Sequence, residues 1–148
     1  MITSIVVGTD GSDTATVAVR QAIELAAALD ARLQIVSAYE PVPAGRLRVE
    51  SPRTPQDVQW TVNPRAEVLA LLESAQAEAQ TGDVAQVETF ARVGDAADAI
   101  LDIAEEQRSD LIVVGNKGMT GATRFLLGSV PNKVSHHAPC SVLIVRTT

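Results

Sequence analysis

Five short runs rich in Val, Ile and Leu, separated by longer stretches with helical spacing of apolar residues, constrain this chain more than any other feature. The runs are Ile2–Val7, Leu33–Ala38, Val84–Val93, Leu111–Val114 and Val142–Val145. Between them, Ala15, Ala18, Val19, Ala22, Ile23, Ala26 and Leu29 form one stripe, and Leu69, Leu72, Ala75 and Ala79 a second. Ala97, Ile100, Leu101 and Ala104 form a third, and a shorter fourth helix is expected over Ser129–His137. β-branched runs alternating with segments of period 3.6 make βαβ units, and so an α/β fold with an open parallel five-stranded sheet and helices on both faces. A chain of 148 residues fits one such domain, 1–148.

Strand character sets the order. A strand covered on both faces is apolar throughout, as in the first and fourth runs, whereas the third interleaves Gln86, Glu88 and Arg92 with Ala85, Val87 and Ala91 and reads as an edge. With right-handed crossovers the simplest order is 3-2-1-4-5. The switch point then lies between strands one and four, where open α/β sheets bind ligands outside the carboxyl ends of the strands. Two glycine-bearing loops meet there, Gly8-Thr9-Asp10-Gly11 and Gly115-Asn116-Lys117-Gly118. Ser12 or Asp13 is expected to cap the first helix, Gly82 to end the second, and Asp95 to cap the third. Ser129 is expected to cap the fourth, with Pro131 in its first turn and Pro139 ending it.

The spacing Gly115-x2-Gly118-x9-Gly128-Ser129 suits a phosphate, because glycine brings backbone N–H groups close to a ligand and a helix N-terminus offers unpaired donors. Charge agrees. The chain carries −6, yet Leu111 to Thr148 contains no Asp or Glu and holds Lys117, Arg124, Lys133 and Arg146. An acidic chain without a dense basic patch is not expected to bind nucleic acid or an anionic membrane, but dispersed cations could serve a small anion. Other nucleotide motifs are missing: there is no Gly-x-Gly for a dinucleotide fingerprint and no Gly-Lys-Ser/Thr for a P-loop. Cys140, the single cysteine, excludes an internal disulfide and reads as a buried structural thiol, and His136 and His137 as exposed helix-end residues.

With these motifs in view, the chain closely resembles the universal stress protein family over essentially its whole length. The resemblance rests on Ile5-Val6-Val7-Gly8-Thr9-Asp10-Gly11-Ser12, on Val113-Val114-Gly115-Asn116-Lys117-Gly118, and on Leu127-Gly128-Ser129-Val130. In that family this glycine pattern marks the members that bind ATP. The resemblance therefore implies an adenine nucleotide, ATP ahead of AMP or cyclic AMP, with phosphates held by backbone N–H groups of Gly118, Gly128, Ser129 and Val130 and by the Ser129 hydroxyl. Ala38 matches the position whose backbone reads the adenine edge, and Gly115 would let the ribose approach strand four. Asp10 would hold ribose hydroxyls or a Mg²⁺ bridging to phosphate, unless it only caps a helix; Lys117 would pair with phosphate or project into solvent. One departure is Pro131, where many ATP-binding members carry Ser or Thr. The Gly-Ser-Val-Pro run resembles a subgroup that binds cyclic AMP, which needs fewer donors and no metal.

No residue pair suggests a base and nucleophile aimed at a γ-phosphate, and no second carboxylate joins Asp10 near the glycines. The expected activity is therefore a regulatory, nucleotide-binding stress-response module rather than an enzyme; a slow ATPase and a dimeric scaffold with a vestigial site are the alternatives. The strand Ser141–Val145, apolar and placed at a sheet edge, predicts a homodimer formed by strand pairing. The Pro-rich connection 41–64 is expected to be mobile, and forms a flap over the crevice in one reading. No signal peptide or membrane-spanning run is evident, so the expected location is the cytoplasm.

Overall fold

Ile5, Val6 and Val7 are all fully buried, which a strand achieves only when both faces of its sheet are covered. They belong to β1 (Ser4–Gly8), followed by α1 (Asp13–Leu29), β2 (Arg32–Tyr39), α2 (Pro64–Thr81), β3 (Val87–Val93), α3 (Ala96–Glu106), β4 (Leu111–Gly115), α4 (Ser129–His137) and β5 (Ser141–Val145). The computed structural model of the chain describes residues 1–39, 64–116 and 127–147. The five strands are parallel and ordered β3-β2-β1-β4-β5, as strand character predicts. In register, Ile5 lies between Leu33 and Leu111, and Val7 between Ile35 and Val113.

Period-2 alternation along these strands feeds two cores. Ile5, Val7, Leu33, Ile35 and Val113 face α1 and α2 and pack with Val19, Ile23 and Leu72. Val6, Val36, Ile112 and Val114 face the other way, against Ile100 and Ile103 of α3 and Val134 of α4. Each such side chain contributes on the order of 1.5–3 kcal/mol when fully buried, so the central strands dominate stability. β3 and β5 are the edges, and each pairs with one neighbour only among the described residues.

Several expectations about element ends are corrected. Ser12, not Asp13, caps α1, its hydroxyl accepting from Ala15 N at 3.2 Å. Asp95 caps α3 as expected. Gly128, rather than Ser129, is the N-cap of α4, and Ser129 is its first helical residue. After α2 the left-handed residue is Asp83 (φ 69°); Gly82 is there for proximity, since a β-carbon on it would lie 2.6 Å from Ile23 Cγ2. Leu29 and Leu69, assigned to apolar stripes, are instead exposed: Leu29 is the last residue of α1, and on α2 the face that packs on the core runs through Val68, Leu72, Ala75 and Ala79, one position off Leu69. The 41–64 connection lies outside the described residues up to residue 63, and Pro64 already opens α2. No described helix is long and apolar enough to cross a membrane.

Candidate functional site

At the carboxyl ends of β1, β2 and β4 the structure opens a cleft of about 520 Å³, counting the space at its mouth. The floor is apolar: Val36 and Ala38 from β2, and Val114 and Gly115 from β4. One side is the β1–α1 loop with Gly8, Thr9 and Asp10; the other is built by Ala96 and Ile100 of α3 and Val130 and Pro131 of α4. A β-carbon at Gly8 would run into Ile100 Cδ1, so glycine there is a packing requirement.

The β1–α1 loop is held by its own hydrogen bonds. Thr9 N–H donates to Val36 O at 2.9 Å, continuing the β1–β2 ladder by one step, and Thr9 Oγ1 accepts from Gly11 N–H at 3.2 Å. Gly11 turns the chain with φ +82°, a conformation favourable only for glycine. Asp10 accepts from Ser12 N–H at 2.9 Å through Oδ1. It does not cap α1; it orders the loop ahead of the cap, and Oδ2 has no hydrogen-bond partner among the described residues. The carboxylate is thus oriented at the cleft and has one acceptor oxygen to offer a ligand.

β2 outruns β1. Its last β1 partner is Val36, opposite Gly8, while its pairing with β3 continues through Ala38 and Tyr39. Peptide groups alternate sides along a strand, and Val36 O points toward β1, where Thr9 N–H meets it. The Ala38 peptide therefore faces the same side, past the end of the β1 ladder and beside the cleft. A donor and an acceptor close together on a strand edge are what recognition of a heterocycle's edge requires.

α4 brings the other polar feature. Gly128 N–H is taken by Asn116 O at 3.0 Å, and the interior bonding of the helix begins with Asn132 N–H to Gly128 O at 3.0 Å. Pro131, buried in the cleft wall, has no N–H. Ser129 and Val130 are left as the two backbone donors of this end without an acceptor among the described residues, and they carry the positive end of the helix dipole.

Of the residues singled out in the sequence, the structure brings Gly8, Thr9, Asp10, Ala38, Gly115 and Val130 together around one cleft. Asn116, Gly128 and Ser129 flank it. Asn116 is a brace: its amide oxygen accepts from Thr147 N–H and from Thr147 Oγ1, both at 2.9 Å, and its backbone N–H reaches Val145 O. Lys117 and Gly118, like Arg124, lie outside the described residues. Lys133 is engaged within the fold, 2.8 Å from Asp98 and 3.3 Å from Asp95. Cys140 is only partly buried, yet desolvation pushes its thiol above the usual range, in keeping with an inert thiol. Sequence reasoning missed Ala96 and Ile100 as cleft residues. In a βα unit the first turn of each helix rises from the carboxyl end of its strand, and that rule applied to α3 would have found them.

Comparison with known proteins bears on the whole chain. The family model described as the Universal stress protein family matches residues 1–146. The chain belongs to the universal stress protein family. Universal stress protein Rv1636 of Mycobacterium tuberculosis is 40% identical, with 98% of this chain and 97% of that one covered. A solved universal stress protein in complex with cAMP is similar at TM-score 0.75 and 35% identity, covering 99% of this chain and 98% of its own. The universal stress protein from Archaeoglobus fulgidus in complex with dAMP is similar at TM-score 0.67 and 26% identity, covering 99% and 100%. These universal stress proteins thus share the α/β architecture of the present chain.

Proposed function

We propose that this universal stress protein is a regulatory module that binds an adenine nucleotide carrying a single phosphate, cyclic AMP or AMP, in the cleft between β1 and β4. The observation that carries the reading is the pair of donors at the α4 N-terminus. Ser129 and Val130 supply two backbone N–H groups, and Pro131 withholds the third. Two donors and a hydroxyl suit one phosphate better than a chain of three. In this reading the base lies on the apolar floor with its edge on the Ala38 peptide, the ribose passes Gly115 and meets Asp10, and the phosphate rests on Ser129 and Val130, the Gly128 N–H being held by Asn116 O. Relatives in complex with cAMP and dAMP, both monophosphates, support the choice.

The glycine layout gives ATP a claim as the second reading, with Lys117 and Gly118 as further phosphate contacts and Mg²⁺ held through Asp10. Asp10 Oδ2 fits a cation as an oxygen donor, and Asp10 is the one carboxylate among the described residues that line the cleft. In both readings the chain's own residues bind and orient the nucleotide.

Assembly belongs to the proposal as well: β5 exposes Ile144 along an edge strand, which strand pairing with a second copy would cover. The test is calorimetric titration with cyclic AMP, AMP and ATP, each with and without Mg²⁺. Metal-independent binding of the monophosphates supports the proposal, metal-dependent binding of ATP alone favours the second reading, and no binding refutes both.

A further inference from the structure

α3 begins with two carboxylates in its first turn, Asp95 at the N-cap and Asp98 three residues on. They suit the helix, since Asp95 accepts from Asp98 N–H at 3.1 Å and both charges complement the positive end of the dipole. They do not suit an anion in the cleft, because Ala96, between them, lines its wall. The conflict is met from α4. Lys133 sits one turn past Val130 on the same helix, so its stem rises beside the cleft residues Val130 and Pro131. Its Nζ lies 2.8 Å from Asp98 Oδ1 and 3.3 Å from Asp95 Oδ2. The two helices that make one wall are thus joined by a three-membered ion cluster.

We propose that Lys133 is a specificity-determining residue for a phosphate in the cleft, neutralising the carboxylates that α3 would otherwise present to an anion. The inference rests on the proposed adenine-nucleotide site and adds to it the origin of phosphate tolerance on this wall. The cluster is about half exposed, so its worth as a plain surface ion pair is small and falls with salt. Its effect on a bound anion is separable from its effect on the fold, because only the former depends on the charge of the ligand.

The experiment is calorimetric titration of the full chain with AMP and with uncharged adenosine, at low and at high ionic strength. Lys133→Met is expected to weaken AMP binding about three- to tenfold at low salt, the scale of one unit charge acting through a partly solvated gap, while adenosine affinity holds. The deficit should shrink at high salt. Lys133→Arg should bind AMP as the unaltered chain does. Adding Asp95→Asn and Asp98→Asn to Lys133→Met should restore AMP binding, Asn being as good an N-cap as Asp. Equal losses for AMP and adenosine, no loss for AMP, or no restoration by the two Asn substitutions would each overturn the inference. Failure of the unaltered chain to bind either ligand would instead overturn the site itself, before any variant is made.

Discussion

Gly128 N–H donates to the carbonyl oxygen of Asn116 at 3.0 Å, so the end of β4 and the start of α4 are joined directly. The same Asn116 reaches β5 through Val145 O and the chain beyond it through Thr147. One residue therefore sets where the α4 donors stand relative to the sheet. Replacing it removes the only acceptor that Thr147 N–H has among the described residues. Asn116→Ala is expected to cost about 1–3 kcal/mol, the penalty of a lost acceptor for partly buried donors, whereas Asn116→Asp should retain most of the stability. Urea denaturation of the two variants measures the difference.

The Asp10 carboxylate is oriented by Ser12 N–H and has Oδ2 available to a ligand. Asp10→Ala should weaken nucleotide binding about 10- to 100-fold, the equivalent of a charged hydrogen bond of ~1.5–3 kcal/mol, with little change in melting temperature. Calorimetric titration checks this. Equal affinity in the variant would remove Asp10 from the site.

A side chain at Gly8 would force Ile100 to move, because its β-carbon position lies against Ile100 Cδ1 and Cγ1. Gly8→Ala should destabilise the protein by about 1–3 kcal/mol through overpacking and push the α3 wall into the cleft. Thermal unfolding with and without cyclic AMP would report both effects. Adding Ile100→Val to Gly8→Ala should recover part of the stability.

At the far end of the sheet, Asp110 Oδ2 accepts from Thr3 N–H, Thr3 Oγ1 and Ser4 N–H at 2.9–3.0 Å. The Thr3 backbone bond is the main reason that its carboxyl is held below the ordinary value of 3.8. A lowered folded-state value means stability that is fully present above the unfolded value and is lost as pH falls through the folded one. The stability difference between the unaltered chain and Asp110→Asn should therefore be constant from neutral pH to about 5 and shrink below 3.8. Denaturation curves across that window test the sign.

Much of this architecture is legible from residue order alone, and the reason is specific. Ile5-Val6-Val7 and Ile112-Val113-Val114 have no polar residue to spare for solvent, so they must be central, and that places the Gly8 and Gly115 loops side by side. Individual side chains are less legible where the same residue type serves two ends. Asn116, in a loop that points to a ligand, turns out to brace Thr147; Lys133, one of the cations that suggested an anion site, is bound by Asp95 and Asp98 from a helix distant in sequence. Local sequence carries no sign of those partners. The exposure of Leu29 and Leu69 has a related origin, since helical period places a face only to within a residue, and on α2 Val68 rather than Leu69 meets the core.

Binding of an adenine monophosphate in the β1–β4 cleft is decided by thermal unfolding with cyclic AMP or AMP in the absence of Mg²⁺. At about 100 times its dissociation constant a ligand adds roughly 2.7 kcal/mol of stability, so a clear rise in melting temperature is predicted, one that Asp10→Ala cuts to about 0.4–1.4 kcal/mol at the same ligand concentration. No shift with either monophosphate, or a shift that Asp10→Ala leaves intact, would contradict it.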